Sequence, residues 1–205
     1  MKSGIRTHAS DLGILMILGV TLVIHGCSSG PASLSRMIRT DDVTTYQRHL
    51  AATSGDAAAA WLAWRSEETG KSIDELARAD AVLGNGADPF DRNDVWAVRR
   101  GALVFRTSCV VCHGTEANGL GPNGETLQSH KDFTNSHMRM AIALSNNWLT
   151  KWFHKVHDGS TTDRRMPDGS YAGMPAMSEQ LTNEQIWLAL TWLASDSKIA
   201  TESDR

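Results

Sequence analysis

Two cysteines separated by two residues and followed at once by a histidine, Cys109-Val110-Val111-Cys112-His113, constrain this chain more than any other feature. A single turn of backbone there has to present two thiols and an imidazole together. The pattern is the attachment signature of a c-type haem. Two thiols near a helix end can reach the two vinyl groups of one porphyrin as thioethers, while the adjacent imidazole swings under the ring to bind iron. A thioredoxin-like redox pair would want a βαβ setting, and a zinc half-site would want a second Cys or His pair. The sequence offers neither context around residues 109–113, so haem attachment is the reading we carry forward.

The N-terminus agrees with that chemistry. Lys2 and Arg6 precede Leu12 to Ile24, a 13-residue apolar run within the length of a secretory signal and short of the roughly 20 residues a spanning helix needs. The run ends in Ile24-His25-Gly26-Cys27, which resembles a bacterial lipoprotein signal with Cys27 as the first mature residue and the site of lipid attachment. His25 departs from the usual small or aliphatic residue, leaving ordinary cleavage or an uncleaved anchor as the alternatives. Each of these readings exports the chain, and c-type haem is attached on the outer side of the bacterial inner membrane.

Composition narrows the classes further. The 205 residues are 41% hydrophobic and 21% charged, enough to bury a core, and a formal charge of −3 gives no basic excess for holding nucleic acid. Three cysteines do not make a disulfide scaffold. Three segments follow from composition: a signal over 1–27, a tether and acidic helical extension over 28–91, and a haem domain over 92–205. Residues 28–91 hold 6 Lys and Arg against 10 Asp and Glu, a net of −4, whereas residues 92–205 hold 12 of each.

Small and helix-breaking residues, Ser28-Ser29-Gly30-Pro31-Ala32-Ser33, read as a flexible tether. Thr40 could cap a helix to Ala52, Asp56 a second one carrying Trp61, Leu62 and Trp64, and Ser72-Ile73-Asp74-Glu75 is a capping box for a third ending near Gly84. The extension is then a spacer or a docking element, the spacer being the plainer reading. After the break at Gly84–Pro89, Asp94 could cap a helix with Val95, Val98, Gly101, Ala102 and Phe105 on one face. Ser145 could open another, with Leu149, Trp152, Phe153 and Val156 as its stripe, ending at Gly159. Thr182-Asn183-Glu184-Gln185 is a second capping box, for a last helix with Ile186, Leu190 and Leu193 inward and Trp187 and Trp192 on its flanks. No alternation of period two appears, so the domain is expected to be all-α, with a long turn-rich stretch between its first and middle helices.

With these residues in place, about 92–196 resembles a class I cytochrome c domain. Gly101 and Phe105 match that family's glycine and aromatic residue ahead of the haem motif, and Trp192-Leu193 its aromatic-aliphatic pair on the last helix. Gly114 follows the histidine as in the family, Gly119-Leu120-Gly121-Pro122 looks like its turn ending in proline, and Lys131-Asp132-Phe133-Thr134 resembles a segment of bacterial members. The resemblance implies one covalently bound haem c, single-electron transfer, and a Pro122 carbonyl that accepts a hydrogen bond from Nδ1 of His113. It also implies a methionine as the second axial ligand beside His113. Met174-Pro175-Ala176 matches the family's methionine-proline motif best, Met166-Pro167 is its rival ahead of a histidine, and Met177 is expected to fill the core.

The remaining candidates have plainer roles. His154 and His157 lie three apart without a carboxylate partner in the pattern, and His130 and His137 have no pattern at all, so solvated or half-buried positions are expected. Arg99, Arg100 and Arg106 could steer an acidic partner or form a solvated face, and the seven tryptophans recur at helical spacing with aliphatic neighbours, as core residues do. The chain therefore reads as an exported, lipid-anchored monohaem cytochrome c with no catalytic residue, passing electrons between a redox protein donor and an acceptor. The rival readings are a haem with an open sixth site that binds a gas or peroxide, and a fixed subunit of a larger dehydrogenase or oxidase complex.

Overall fold

A computed structural model describes residues 31–123, 132–145, 147–165 and 171–195. Cys27, His130 and Met166 lie outside the described residues. The fold is all-α, with α1 (Leu34–Met37), α2 (Thr40–Ala52), α3 (Ala57–Thr69), α4 (Ile73–Leu83), α5 (Val95–Ser108), α6 (Val110–His113), α7 (Ser136–Leu144), α8 (Trp148–His157) and α9 (Asn183–Ala194). One small antiparallel hairpin, β1 (Ser160–Arg165) and β2 (Tyr171–Met174), interrupts it between α8 and α9. The sequence carries no sign of β1 because Ser160-Thr161-Thr162-Asp163-Arg164-Arg165 contains no apolar residue to alternate.

Local capping chemistry sets several helix starts. Asp56 accepts from the Ala59 amide and Asp94 from the Trp96 amide. Both capping boxes close reciprocally, Ser72 with Glu75 and Thr182 with Gln185, satisfying amides that a helix start leaves open. Thr40 is itself the first helical residue, with Arg39 at the cap position. Ser145 ends α7 rather than starting α8, whose cap position falls to Asn147. Helix α7 lies inside the stretch expected to be turns; the Asn135 side chain accepts from the His137 amide to open it.

The centre of the molecule is α9, buried from Gln185 to Ala194 on every face. Trp187 and Trp192 are therefore core residues rather than flanking ones, because a helix covered all round has no flank. One side is closed by α5. A Cβ on Gly101 would stand 1.9 Å from the Leu188 carbonyl oxygen, so only glycine allows this approach, and Phe105 meets Trp192 at 4.4 Å between ring centroids. Phe153 of α8 stacks on Trp187 at 4.4 Å and 9°.

The other sides of α9 are closed by the acidic extension, which is no spacer. Trp61 donates to Glu184 at 2.6 Å, Trp187 donates to the Leu83 carbonyl at 3.0 Å, and Tyr46, Trp61 and Trp64 pack edge to face within the same core. The tether expected through Ser33 gives way by Ala32, which is wholly buried; its amide donates to Ser195 Oγ and its carbonyl accepts from Trp192 Nε1. Arg99 and Arg100 face the extension instead of a partner. Both reach Asp42, Arg100 also reaches Glu68, and its guanidinium lies 3.7 Å over the Trp64 ring. Of the three arginines, Arg106 is the exposed one.

Asp80 of α4 gives the extension its firmest hold. Its carboxylate accepts from the amides of Asn183 and Glu184 at 3.0 and 2.7 Å, the positive end of the α9 dipole. Asp80→Ala is expected to destabilise the protein by about 1–2 kcal/mol, the usual loss on removing a capping side chain. A urea midpoint unchanged from that of the unsubstituted protein would remove Asp80 from this role.

Candidate functional site

The two cysteines and the histidine stand on a single turn because α5 runs out as α6 begins. Cys109 ends α5, its amide bonded to the Phe105 carbonyl, and its own carbonyl accepts from the amides of Cys112 and His113. Residues three and four apart share a helical face, which sets Cys112 and His113 next to Cys109 on this turn; Cys109 and His113 line the cleft described below, and half-buried Cys112 does not. Gly114, at a φ of 76°, then turns the chain out of the helix, where a Cβ would stand 2.6 Å from the Asn118 side chain.

The segment after the motif folds back over it. The Gly119 amide donates to the His113 carbonyl and the Asn123 amide to the Val111 carbonyl, each at 2.9 Å. Between them Gly121 presses on the turn so closely that a Cβ would lie 2.6 Å from both the Cys112 carbonyl carbon and the Val110 carbonyl oxygen. Pro122 is thereby held next to the motif backbone, its ring side exposed to solvent.

Aromatic rings fix the imidazole. His113 lies 6.3 Å from Phe105 and 5.8 Å from Phe133 between ring centroids. Phe133 is buried, its amide bonded to the Ala117 carbonyl, and its far side meets Trp152 at 5.1 Å. Only a segment resemblance marked Phe133 in the sequence, yet it joins the motif loop to α8.

Across from the motif stands Met174, the last residue of β2. Gly173 allows the hairpin to close, since a Cβ there would meet the Ser160 carbonyl at 2.1 Å, and Gly159, at a φ of 79°, lies under the Met174 and Pro175 backbone. The Met177 amide is tied to the Val156 carbonyl at 3.0 Å, so the chain leaving Met174 is laced to the end of α8. Met177 itself is buried in the core.

Cys109, His113 and Met174 face one cleft, partly open to solvent and walled by apolar side chains of α5, α8 and α9 such as Phe105, Val156 and Leu190. The chemistry of this lining suits a flat apolar macrocycle with a metal at its centre: a thiol, an imidazole and a thioether set among apolar side chains. Burial pushes the Cys109 thiol up to about 12, with the neighbouring Cys112 adding to it, and burial also raises Cys112. A thiol–disulfide oxidoreductase needs the opposite, a thiol depressed into its thiolate form. No group of three His, Cys, Asp or Glu side chains placed to hold a metal ion occurs among the described residues.

Among the described residues, the other histidines of the sequence pattern are not part of the cleft lining. His137 is exposed, His154 is exposed beside Gly86, and His157 bonds Asp158 at 2.6 Å. The buried guanidinium of Arg139 went unnoticed in the sequence, where one arginine inside a weak apolar pattern gives no signal. It donates to the Leu193 carbonyl at 2.5 Å and the Ser195 carbonyl at 2.7 Å, capping the C-terminal end of α9.

Residues 96–193 match the family described as cytochrome C oxidase, cbb3-type, subunit III. The match begins at the second residue of α5, contains the motif, the cleft and Met174, and ends within α9. No curated protein matches the chain, and no solved structure does.

Proposed function

Given that residues 96–193 form a c-type cytochrome domain, an electron-carrying module, we propose that the chain is a monohaem carrier with His113 and Met174 as axial ligands, anchored by lipid at Cys27 on the outward side of a bacterial membrane. The observation that carries the ligation is the single cleft onto which Cys109, His113 and Met174 all face. When bound there, haem c supplies reversible one-electron chemistry between ferrous and ferric iron.

The chain's own residues do the rest. Cys109 and Cys112 would hold the group as thioethers, which would keep it from being lost outside the cell. In this reading the carbonyl of Pro122, between Gly121 and Asn123 that lie against the motif backbone, would accept from Nδ1 of His113 and so orient the ring. Phe105, Phe133 and the α9 aliphatics exclude water, and Met174 as a soft thioether favours the reduced state. Two protein ligands held by packed backbone rearrange little between oxidation states, which suits a carrier better than a gas sensor.

Met174→Ala is expected to lower the reduction potential and let carbon monoxide bind the ferrous protein rapidly, whereas the unsubstituted protein resists it. The optical spectrum of the reduced protein before and after carbon monoxide, with a potentiometric titration, checks both. Rapid binding by the unsubstituted protein would replace the carrier with the open-site reading, and an unchanged potential in the variant would move the ligand to Met166.

For the anchor, Cys27→Ser is expected to leave an unprocessed precursor, visible as a larger band with no incorporation of labelled fatty acid. Normal maturation and release of that variant would discard the lipoprotein reading. The description of the matched family as an oxidase subunit supports a second arrangement in which the chain is fixed in a membrane complex. Co-purification of stoichiometric partners in mild detergent favours that arrangement; a lone monohaem protein favours the carrier.

A further inference from the structure

We infer that the exposed apolar face of α7 rests on the membrane surface, beside the point where the lipid anchor leaves the fold. The inference depends on the anchor at Cys27 proposed above.

Ala32 is fixed to the end of α9, its amide on Ser195 Oγ and its carbonyl on Trp192. Cys27 precedes it by five residues. At no more than about 3.6 Å per residue, the lipidated cysteine stays within roughly 18 Å of Ala32, so this end of the molecule has to face the bilayer.

The same end carries α7, because Arg139 bonds the carbonyls of Leu193 and Ser195. With Arg139 turned inward on those carbonyls and no Asp or Glu between Ser136 and Leu144, α7 shows solvent an apolar last turn over Met140–Leu144, with the exposed imidazole of His137 one turn before it. Leu144 is 76% and Met140 47% exposed, one turn apart, with Ala141 and Ala143 exposed beside them. Large apolar residues exposed together on one turn are what a helix lays into the headgroup boundary.

Val82 supplies the contrast. It is 66% exposed on α4, whose Asp80 is bonded to the N-terminal end of α9. Twelve residues of α9, about 18 Å of helix, separate that end from the anchor. If stickiness alone governed membrane contact, Val82 and Leu144 would behave alike. If the anchor sets the orientation, Leu144 touches lipid and Val82 does not.

The test uses the full-length, haem-loaded, matured chain carrying Leu144→Cys or Val82→Cys. Each is labelled with a benzophenone maleimide, reconstituted into vesicles of phosphatidylethanolamine and phosphatidylglycerol, and irradiated. With Cys109 and Cys112 in thioethers and the Cys27 sulfur blocked by its thioether to the diacylglyceryl group, the introduced cysteine is the reactive thiol, and both sites are exposed enough to accept it without refolding. Mass spectrometry is expected to find phospholipid adducts severalfold more abundant at position 144 than at 82. Equal yields at the two positions, or none at 144, would overturn the inference while leaving the anchor intact. Labelling of the unsubstituted holoprotein would reveal a free Cys27 and overturn the anchor and the inference together.

Discussion

Gly101→Val is expected to cost the protein about 3 kcal/mol or more and to loosen the cleft at the same time. Even the first carbon of the new side chain would lie 1.9 Å from the Leu188 carbonyl oxygen and 2.9 Å from Cβ of Trp192. Ordinary contact begins near 3.4 Å, and the obstacle is backbone of a buried helix, which cannot swing aside as a long side chain can. Extra carbon in a packed core usually costs roughly 1–3 kcal/mol, and contact with fixed backbone belongs at the top of that range or above. Set against a total stability on the order of 5–15 kcal/mol, the loss is a large fraction. Calorimetry of the haem-loaded variant would show it as a drop in Tm of roughly 6–12 °C, at about 2–4 °C per kcal/mol for a chain of this size.

The same displacement has a functional reading. Moving α5 from α9 separates Phe105 from Trp192 and from the cleft lining contributed by Leu190 and Leu193. Carbon monoxide binding to the reduced variant is therefore expected to quicken, even though no ligand has been touched. A variant with an unchanged Tm would mean that the helices cross elsewhere than at Gly101, and the packing described for α5 and α9 would fall with it.

What could be read from the sequence was local. The haem motif occupies five consecutive residues, and a capping box four, so both report their geometry without knowledge of the rest of the chain. Gly101 and Phe105 were legible through resemblance, and the structure supplies the physical reason in the 1.9 Å approach to Leu188. Arg99 and Arg100 were not. Nothing beside them in the chain says that Asp42 and Glu68, 57 and 32 residues away from their partners, neutralise them. The stripe of Ile186, Leu190 and Leu193 correctly marked one covered face of α9, but the cover on its other faces comes from a segment more than a hundred residues earlier. Helix α7 was missed for a related reason: its buried members include an arginine whose partners are carbonyls at the end of α9.

Deleting residues 40–84 makes that long-range cover measurable, and it is expected to cost the haem domain its native core. A spacer could be removed without effect on what it separates. Here the deletion removes Tyr46, Trp61 and Trp64, three buried aromatic side chains whose burial is worth roughly 1.5–3 kcal/mol each, a sum comparable with the whole stability of a domain. It also strips α9 of the Asp80 carboxylate at its start, leaves Glu184 without the Trp61 indole, and bares Trp187, whose N–H loses the Leu83 carbonyl. Arg100 loses both Asp42 and Glu68. Trp187 stacks directly on Phe153 of α8, and Val156 of that helix lines the cleft together with Leu190 of α9, so the damage reaches the haem site through two packed layers. The truncated chain, expressed with haem maturation intact, should show red-shifted tryptophan emission, a collapsed near-UV circular dichroism signal and carbon monoxide binding that the full-length protein resists. A truncated protein with the same urea midpoint and an unchanged near-UV spectrum would restore the extension to a spacer, and the hydrogen bonds from Asp80, Leu83 and Trp61 would then be incidental to the fold of the haem domain.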